Sequence, residues 1–322
     1  MGFQGSLRPV LRMCKPGWKG NKMVNLKGLT TESRNPKSEN FSSMSVADAV
    51  ALMNQEDLCC VKAVEKASER ITKVIENTAG ALTSGGRIIY IGAGTSGRLG
   101  VLDAVECPPT FGVDYDVVVG LIAGGENAFV KAKEGAEDSL EQGKMALEEI
   151  GLKSADAVIG IAASGRTPYV IGALKYAQSL GCFTGAVVCN DNSPIGEVCE
   201  NTIVLNVGPE VLTGSTRLKS GTATKMVLNM ISTISMRDAG KIYKNYMVDV
   251  KMTNEKLRAR GAGIVKAITG AEDGVIQNAL EQSGQQVKTA IVMIEQDVNA
   301  DTARDLLEKA GGHIDRIERK DC

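Results

Sequence analysis

The chain has 322 residues, of which 43% are hydrophobic, so it is long and apolar enough to bury a core of its own. Its 37 basic and 38 acidic residues leave a formal charge of −1, which favours neither nucleic acid nor an anionic membrane surface as a partner. No run approaches the roughly 18 apolar residues that span a bilayer, and the eight cysteines include no C-x-x-C pair, so a cytoplasmic protein with reduced thiols is expected.

Residues 1–28 form a basic stretch without acidic side chains. Six Lys or Arg residues alternate there with five glycines, a composition that predicts a disordered extension. Two targeting interpretations stay open: Gly2 with Ser6 fits a myristoylation signal, and the whole stretch fits an organelle presequence. Met23 is an alternative start, which would leave the first 22 residues without a function.

The next segments predict helices and then a sheet. Over residues 46–81 the apolar residues recur at helical spacing, with Ser45 as the N-cap and a break at 54–56 between two helices. Five short runs rich in Val and Ile follow, separated by segments of helix length. They lie at 87–91, 117–122, 157–162, 184–189 and 202–207. Strands that are apolar on both faces and alternate with helices predict a doubly wound α/β fold with a parallel sheet.

The last third of the chain predicts helices. A long helical segment covers residues 218–238, and two short amphipathic segments at 273–284 and 300–310 flank an apolar run at 289–294. This pattern predicts a small, mostly helical C-terminal subdomain. The expected divisions are the extension at 1–28, the α/β domain with its N-terminal helices at 29–250, and the C-terminal subdomain at 251–322.

The loop after the first predicted strand, GAGTSGR at 92–98, formally matches the dinucleotide motif G-x-G-x-x-G. A dinucleotide site also places an acidic residue about 20 positions further on, to hold the ribose. The second strand is instead followed by AGG at 123–125, and Glu126 comes late. The adjacent hydroxyls of Thr95 and Ser96 therefore favour a different ligand.

Two further loops carry hydroxyls at the predicted start of a helix: ASGRTP at 163–168 and TGSTRLKSGT at 213–222. Unpaired N–H groups and the helix dipole favour an anion there, and parallel sheets bind ligands at the carboxyl ends of their strands. Each loop alone also fits an ordinary capped helix, because Ser and Thr are common caps. Three such loops at strand ends favour a phosphate or a sugar. The candidate contacts are Gly94, Thr95, Ser96, Arg98, Ser164, Gly165, Arg166, Thr167, Ser215 and Lys219.

Two hydroxyl loops on a flavodoxin-like sheet resemble the sugar isomerase (SIS) domain, a phosphosugar-binding module. Longer strings resemble the N-acetylmuramic acid 6-phosphate etherases. These strings are GAGTSGRLG at 92–100, ECPPT at 106–110, GAEDS at 135–139, AASGRTPY at 162–169, LTTESRNP at 29–36, VDV at 248–250 and TNEKL at 253–257. The resemblance covers about residues 29–317, with Val105 standing where many relatives carry serine. It implies a five-stranded sheet and a homodimer in which residues of one subunit close the other's site.

The resemblance also implies a lyase that removes D-lactate from N-acetylmuramic acid 6-phosphate and leaves N-acetylglucosamine 6-phosphate. In the open-chain sugar C1 is an aldehyde, so the C2 proton is acidic and the lactyl oxygen on C3 is a β leaving group. Such an elimination needs a base and an acid in fixed positions, and no nucleotide, metal or redox cofactor. By resemblance, Glu137 is the base at C2 and Glu106 is the acid that protonates the departing lactate.

Without the resemblance, the two glutamates are less distinctive. Glu106 precedes Cys-Pro-Pro at 107–109, which predicts a stiff turn that directs its side chain, although an ordinary exposed glutamate fits as well. Glu137 shares a predicted helical face with Glu141 and other acidic residues, so a solvated charged face is its simplest interpretation. His313 is the sole histidine and is expected to be structural, which leaves triad chemistry and histidine metal sites without their residue.

Rival functions within the same superfamily stay open. A non-catalytic phosphosugar sensor, like the glucokinase regulatory proteins, would need neither glutamate, but such regulators resemble two copies of the domain and this chain has one set of loops. A sugar-phosphate isomerase would interconvert its substrate without releasing lactate. A sugar-responsive transcription factor would need a helix-turn-helix domain, for which residues 1–28 are too short and too rich in glycine.

Overall fold

The computed structural model describes residues 28–131, 133–252 and 254–318. The predictions made for the N-terminal extension, Gly28 excepted, lie outside these residues. Within the described ranges, none of the helices has both the length and the hydrophobicity that crossing a membrane requires.

A five-stranded parallel sheet forms the centre of the structure. Its strands are β1 (Ile88–Gly92), β2 (Val118–Ile122), β3 (Ala157–Ile161), β4 (Phe183–Val188) and β5 (Asn201–Val204). They lie in the order β2-β1-β3-β4-β5, and Ile88 of β1 is in register with Val118 of β2 and with Ala157 of β3. Every residue of β1 and β3 is buried, because helices cover both faces. The predicted doubly wound, flavodoxin-like fold is confirmed.

Helices pack on both faces of this sheet. They are α1 (Val46–Lys66), α2 (Ser68–Thr83), α3 (Gly94–Phe111), α4 (Asn127–Val130), α5 (Leu140–Glu149), α6 (Pro168–Ser179), α7 (Pro194–Val198) and α8 (Lys219–Asp238). Ile88 and Tyr90 of β1 pack with α1, α2, α3 and α8, whereas Ile89 and Ile91 pack with α5, α6 and α7. Helices α3 and α6 begin where β1 and β3 end, so their N-termini meet at the carboxyl edge, the edge formed by the carboxyl ends of the strands.

The N-terminal helices differ from the prediction in one place. Ser45 caps α1 as expected, since its side chain accepts a hydrogen bond from the backbone N–H of Asp48. The predicted break at 54–56 is wrong: α1 is continuous through these residues and ends at Lys66. Within this polar run, Glu56 is only 4% exposed and occupies a buried position of the helix.

The C-terminal region is helical, as predicted. A short antiparallel hairpin of β6 (Ile242–Tyr243) and β7 (Tyr246–Met247) precedes α9 (Glu255–Thr269), α10 (Asp273–Gln282), α11 (Val287–Gln296) and α12 (Ala300–Lys309). The apolar run at 289–294 lies within α11, and Ile291 there packs with Val265, Ile276 and Leu307 in a separate hydrophobic core. The division at residues 250 and 251 stays a prediction.

Candidate active site

Two hydroxyl loops lead into helices that no side chain caps. Helix α3 follows Ala93 and helix α6 follows Thr167, and neither residue makes a side-chain hydrogen bond to the first turn. The hydroxyl of Thr167 therefore does not serve as an ordinary cap. Uncapped N–H groups and the positive end of the helix dipole attract anions, and both helix starts lie at the carboxyl edge. The first two loops can hold a phosphate there.

The loop before α6 has a fixed backbone. Gly165 has a φ of +67°, and a Cβ atom built on it would lie 2.3 Å from Cβ of Ser193, so only glycine fits. Its N–H donates to Ala162 O at 2.8 Å, and its carbonyl accepts from Ile195 N at 3.0 Å. The hydroxyl of Ser164 accepts from Arg166 N at 3.3 Å, which leaves the loop preorganised for a ligand.

The third hydroxyl loop differs, because the start of α8 is already occupied. The carboxylate of Glu210, 0% exposed, accepts from Lys219 N and from Ser220 N, both at 2.9 Å. The side chain of Lys219 is 2% exposed, and its Nζ lies 2.7 Å from Oε2 of Glu56. The sequence predicted that Lys219 contacts the substrate, but in the structure its partner is Glu56. Ser215 lies half-buried at the carboxyl edge.

The three loops and an N-terminal segment adjoin one another. A Cβ built on Gly221 of α8 would lie 3.8 Å from Cγ2 of Thr95, so the first and third loops meet. The side chain of Asn190 donates to Ala163 O at 3.1 Å and to Oγ1 of Thr31 at 2.9 Å, which joins the second loop to residues 29–35. The sequence pointed to residues 29–35 only through the family resemblance. The Thr, Glu and Asn residues in this one short string were a second signal that could have indicated a part of the site.

Glu137 lies at this same edge. It is exposed, and it belongs to a 3₁₀ turn, Ala136–Asp138, whose buried Ala136 packs with Tyr169 at the start of α6. The predicted helical face shared with Glu141 is wrong, because Gly135 has a φ of +75° and α5 begins only at Leu140. The structure thus brings Glu137 beside the loop before α6.

Glu106 lies far from these loops within one chain. It comes twelve residues after Gly94 in α3, a rise of about 18 Å along the helix away from the carboxyl edge. Pro108 and Pro109 lie inside α3, so the predicted stiff turn is wrong and the helix sets the direction of Glu106. Its side chain is exposed beside Val105, which is 48% exposed. The length of α3 therefore separates Glu106 from the helix start at the carboxyl edge.

The two candidate arginines have different surroundings. Nε of Arg98 donates to Phe129 O at 2.7 Å and its Nη2 donates to Ala128 O at 2.9 Å. These bonds connect α3 to α4. Arg98 therefore holds the segment after β2 in place, whereas the sequence predicted that it contacts the substrate. Arg166 lies half-buried between Ser164 and Thr167.

The sole histidine lies outside the site. Nε2 of His313 is 3.1 Å from the carbonyl oxygen of Asp238, and the residue is 9% exposed, as a structural histidine would be. In the part of the chain that the structure describes, no three His, Cys, Asp or Glu side chains gather in a metal-like cluster.

Known proteins match this chain over most of its length. A family model described as "Glucokinase regulatory protein N-terminal SIS domain" matches residues 67–178. The N-acetylmuramic acid 6-phosphate etherase of Francisella tularensis subsp. holarctica is 52% identical over 289 residues, which cover 90% of this chain and 98% of that protein. That of Serratia proteamaculans is 52% identical over 291 residues, covering 90% and 98%. The chain belongs to the N-acetylmuramic acid 6-phosphate etherase family.

The etherase resemblance seen in the sequence is thereby confirmed. Etherase 1 of Bacillus licheniformis is also 50% identical over 291 residues, covering 90% of this chain and 96% of that protein. Among solved structures, phosphoheptose isomerase GmhA of Neisseria gonorrhoeae has a TM-score of 0.45 and 18% identity, covering 59% of this chain and 98% of that one.

A buried ion pair stabilises the segments that surround the candidate site. Glu56 of α1 binds Lys219 of α8 at 2.7 Å, Lys37 at 2.9 Å and Nδ2 of Asn35 at 2.7 Å. Burial raises the pKa of Glu56, but hydrogen bonds from Lys219, Lys37 and Asn35 outweigh it and lower the pKa from 4.5 to about 2. The network fixes the start of α8 against α1 and the N-terminal segment.

Lys219→Met is expected to lower the free energy of unfolding by about 3–5 kcal/mol, because it leaves a buried carboxylate without its main partner. Urea denaturation measures this loss. The matched control is Lys73→Met, since the Lys73–Glu200 pair is exposed at 3.7 Å and contributes less than about 1 kcal/mol. Equal losses in the two variants would contradict a supporting role for the buried pair.

Proposed function

We propose that this chain is a carbon–oxygen lyase that cleaves the D-lactyl ether of N-acetylmuramic acid 6-phosphate, giving N-acetylglucosamine 6-phosphate and D-lactate. One observation carries the proposal: relatives with this activity in their names share 52% identity over 90% of the chain. The uncapped starts of α3 and α6 support a phosphorylated substrate, because they supply N–H donors and a favourable dipole to an anion.

Glu137 and Glu106 divide the proton transfers in this proposal. Glu137 takes the C2 proton of the open-chain sugar, the C3–O bond breaks, and a C2–C3 double bond forms. Glu106 protonates the departing lactate oxygen. Water then adds, its hydroxyl to C3 and a proton to C2, which restores the saturated sugar. These steps require no cofactor.

The proposed enzyme is a cytoplasmic homodimer in which Glu106 of one subunit completes the site of the other. The rise of about 18 Å along α3 supports this arrangement, since it separates Glu106 from the loops of its own chain. So does a groove of about 850 Å³ along the edge strand β2, whose lining includes Val105, Phe129 and Met145. Exposed apolar side chains beside an unpaired strand edge suit an interface between copies.

A coupled assay for D-lactate tests the function. Purified protein is incubated with N-acetylmuramic acid 6-phosphate, with and without a metal chelator, beside Glu106→Gln. Release that survives the chelator and is lost in the variant is the expected result. No release from a folded wild type that binds sugar phosphates would favour the non-catalytic regulator or the isomerase instead.

Replacing both Ser164 and Thr167 with Ala is expected to raise KM for the phosphorylated sugar by roughly 10- to 100-fold, because hydrogen bonds to a charged phosphate are lost. The melting temperature should fall by only a few degrees, since neither hydroxyl caps α6 and the internal bond lost is the one from Arg166 N to the Ser164 hydroxyl. The control is Ser179→Ala at the exposed end of α6, whose hydroxyl donates to Tyr176 O at 2.7 Å. An unchanged KM in the double variant would remove this loop from the phosphate site.

A further inference from the structure

A third carboxylate, Glu32, lies at the candidate site. It ends a short 3₁₀ helix, Thr30–Glu32, and it is half-buried. A Cβ atom built on Gly214 would lie 3.2 Å from Oε2 of Glu32, so this carboxylate adjoins the loop that carries Ser215.

Hydrogen bonds on both sides hold this part of the chain in place. Thr31, 1% exposed, donates its N–H to Oδ1 of Asn190 at 3.2 Å and accepts from Nδ2 of the same residue at 2.9 Å. Asn190 also donates to Ala163 O, directly before Ser164. Asn35, 6% exposed, is bound to Glu56. Glu32 is thereby fixed between the second and third hydroxyl loops.

The carboxylate of Glu32 differs from those of Glu56 and Glu210 in its contacts with the described residues. Glu56 binds two lysines and an amide, and Glu210 accepts from two backbone N–H groups. Among the described residues, none makes a hydrogen bond or an ion pair with the side chain of Glu32. Its acceptor capacity therefore stays available to a ligand in the crevice.

We infer that Glu32 is a substrate contact that accepts hydrogen bonds from hydroxyl or amide N–H groups of the sugar. An ionised carboxylate only accepts hydrogen bonds, and it repels a phosphate. In this arrangement the uncapped starts of α3 and α6 bind the phosphate, so Glu32 faces the part of the ligand that carries hydrogen-bond donors. The inference rests on the proposed function and adds a specificity residue that favours an amino-sugar phosphate over phosphate alone.

Calorimetric titration with two probes, N-acetylglucosamine 6-phosphate and inorganic phosphate, tests the inference. Glu32→Gln is expected to weaken binding of the sugar phosphate roughly 10-fold, because the charged acceptor becomes a neutral amide with a single acceptor oxygen. Binding of inorganic phosphate should stay within about twofold of wild type, since the helix starts are untouched. The control, Glu39→Gln, changes a nearby exposed glutamate that pairs with Arg34 at 3.7 Å. Equal weakening of both probes, or of neither, would overturn the inference.

Steady-state lactate release separates this inference from the proposed function. Glu32→Gln should raise KM while kcat stays within a few fold of wild type, and a fall in kcat at constant KM would contradict a binding role. If wild type releases no lactate, the proposed function fails, but the two-probe titration still decides the role of Glu32. Thermal unfolding shows whether each variant folds. Should Glu32→Gln not fold, Glu32→Asp replaces it, and selective loss of sugar-phosphate binding is again required.

Discussion

Glu137→Gln is expected to lower kcat for lactate release by about 10²–10⁴-fold, with little change in KM. The amide keeps the shape of the side chain but cannot take up the C2 proton, whereas the loops proposed to bind the phosphate are unaltered. The position of Glu137 supports this assignment: it is exposed at the carboxyl edge, and Ala136 packs beside the start of α6.

Two readouts identify the step that is lost in Glu137→Gln. Lactate release reports the whole reaction, and exchange of solvent deuterium into C2 reports proton removal alone. Both should fall together if Glu137 is the base. Glu141→Gln is the matched control, because Glu141 is an exposed residue of α5 that pairs with Lys144 at 3.5 Å, and it should keep wild-type activity. Retained exchange in Glu137→Gln would assign the base to another residue.

Glu106→Gln and Glu137→Gln are each expected to be nearly inactive alone and to regain activity when combined in one dimer. A mixed dimer holds one site with both glutamates intact and one site with neither. Purified mixed dimers should therefore show about half of the wild-type activity, and a random mixture about a quarter. The reason is the position of Glu106 in α3, about 18 Å along the helix from Gly94 at the carboxyl edge.

The mixed dimers are prepared by co-expression with two different tags, and light scattering checks that they are dimers. The control combines the two purified variants immediately before the assay, so that no subunits exchange, and it should stay inactive. No recovery in verified mixed dimers would mean that both glutamates serve one chain's site, or that neither serves catalysis.

The sheet and most helices followed from local pattern. The five Val- and Ile-rich runs became β1 to β5. The pattern is clearest in β1 and β3, because strands buried on both faces must be apolar throughout. The starts of α3 and α6 followed from hydroxyl and glycine residues after a strand. The same reasoning failed in α1: the polar residues 54–56 suggested a break, yet the helix continues through them, and its buried Glu56 pairs with Lys219.

The sequence also predicted some features of the candidate site residues and missed others. The strings around Glu106 and Glu137 selected both residues, but their local structure came out differently, as a continuous helix for the first and a 3₁₀ turn for the second. Nothing in the pattern indicated that Lys219 is buried, or that Glu32 reaches Gly214.

The amino-acid sequence alone was sufficient to predict the fold class, the family, and the positions along the chain of the loops that carry candidate site residues. Which polar groups pair, and which stay open to a ligand, depended on the folded structure. Glu56 and Lys219 are 163 positions apart, and Thr31 and Asn190 are 159 apart. The hydrophobic periodicity of a segment indicates whether a position is buried. The partner of a buried polar group, however, comes from a distant segment, so only the packing of the whole chain determines which groups pair.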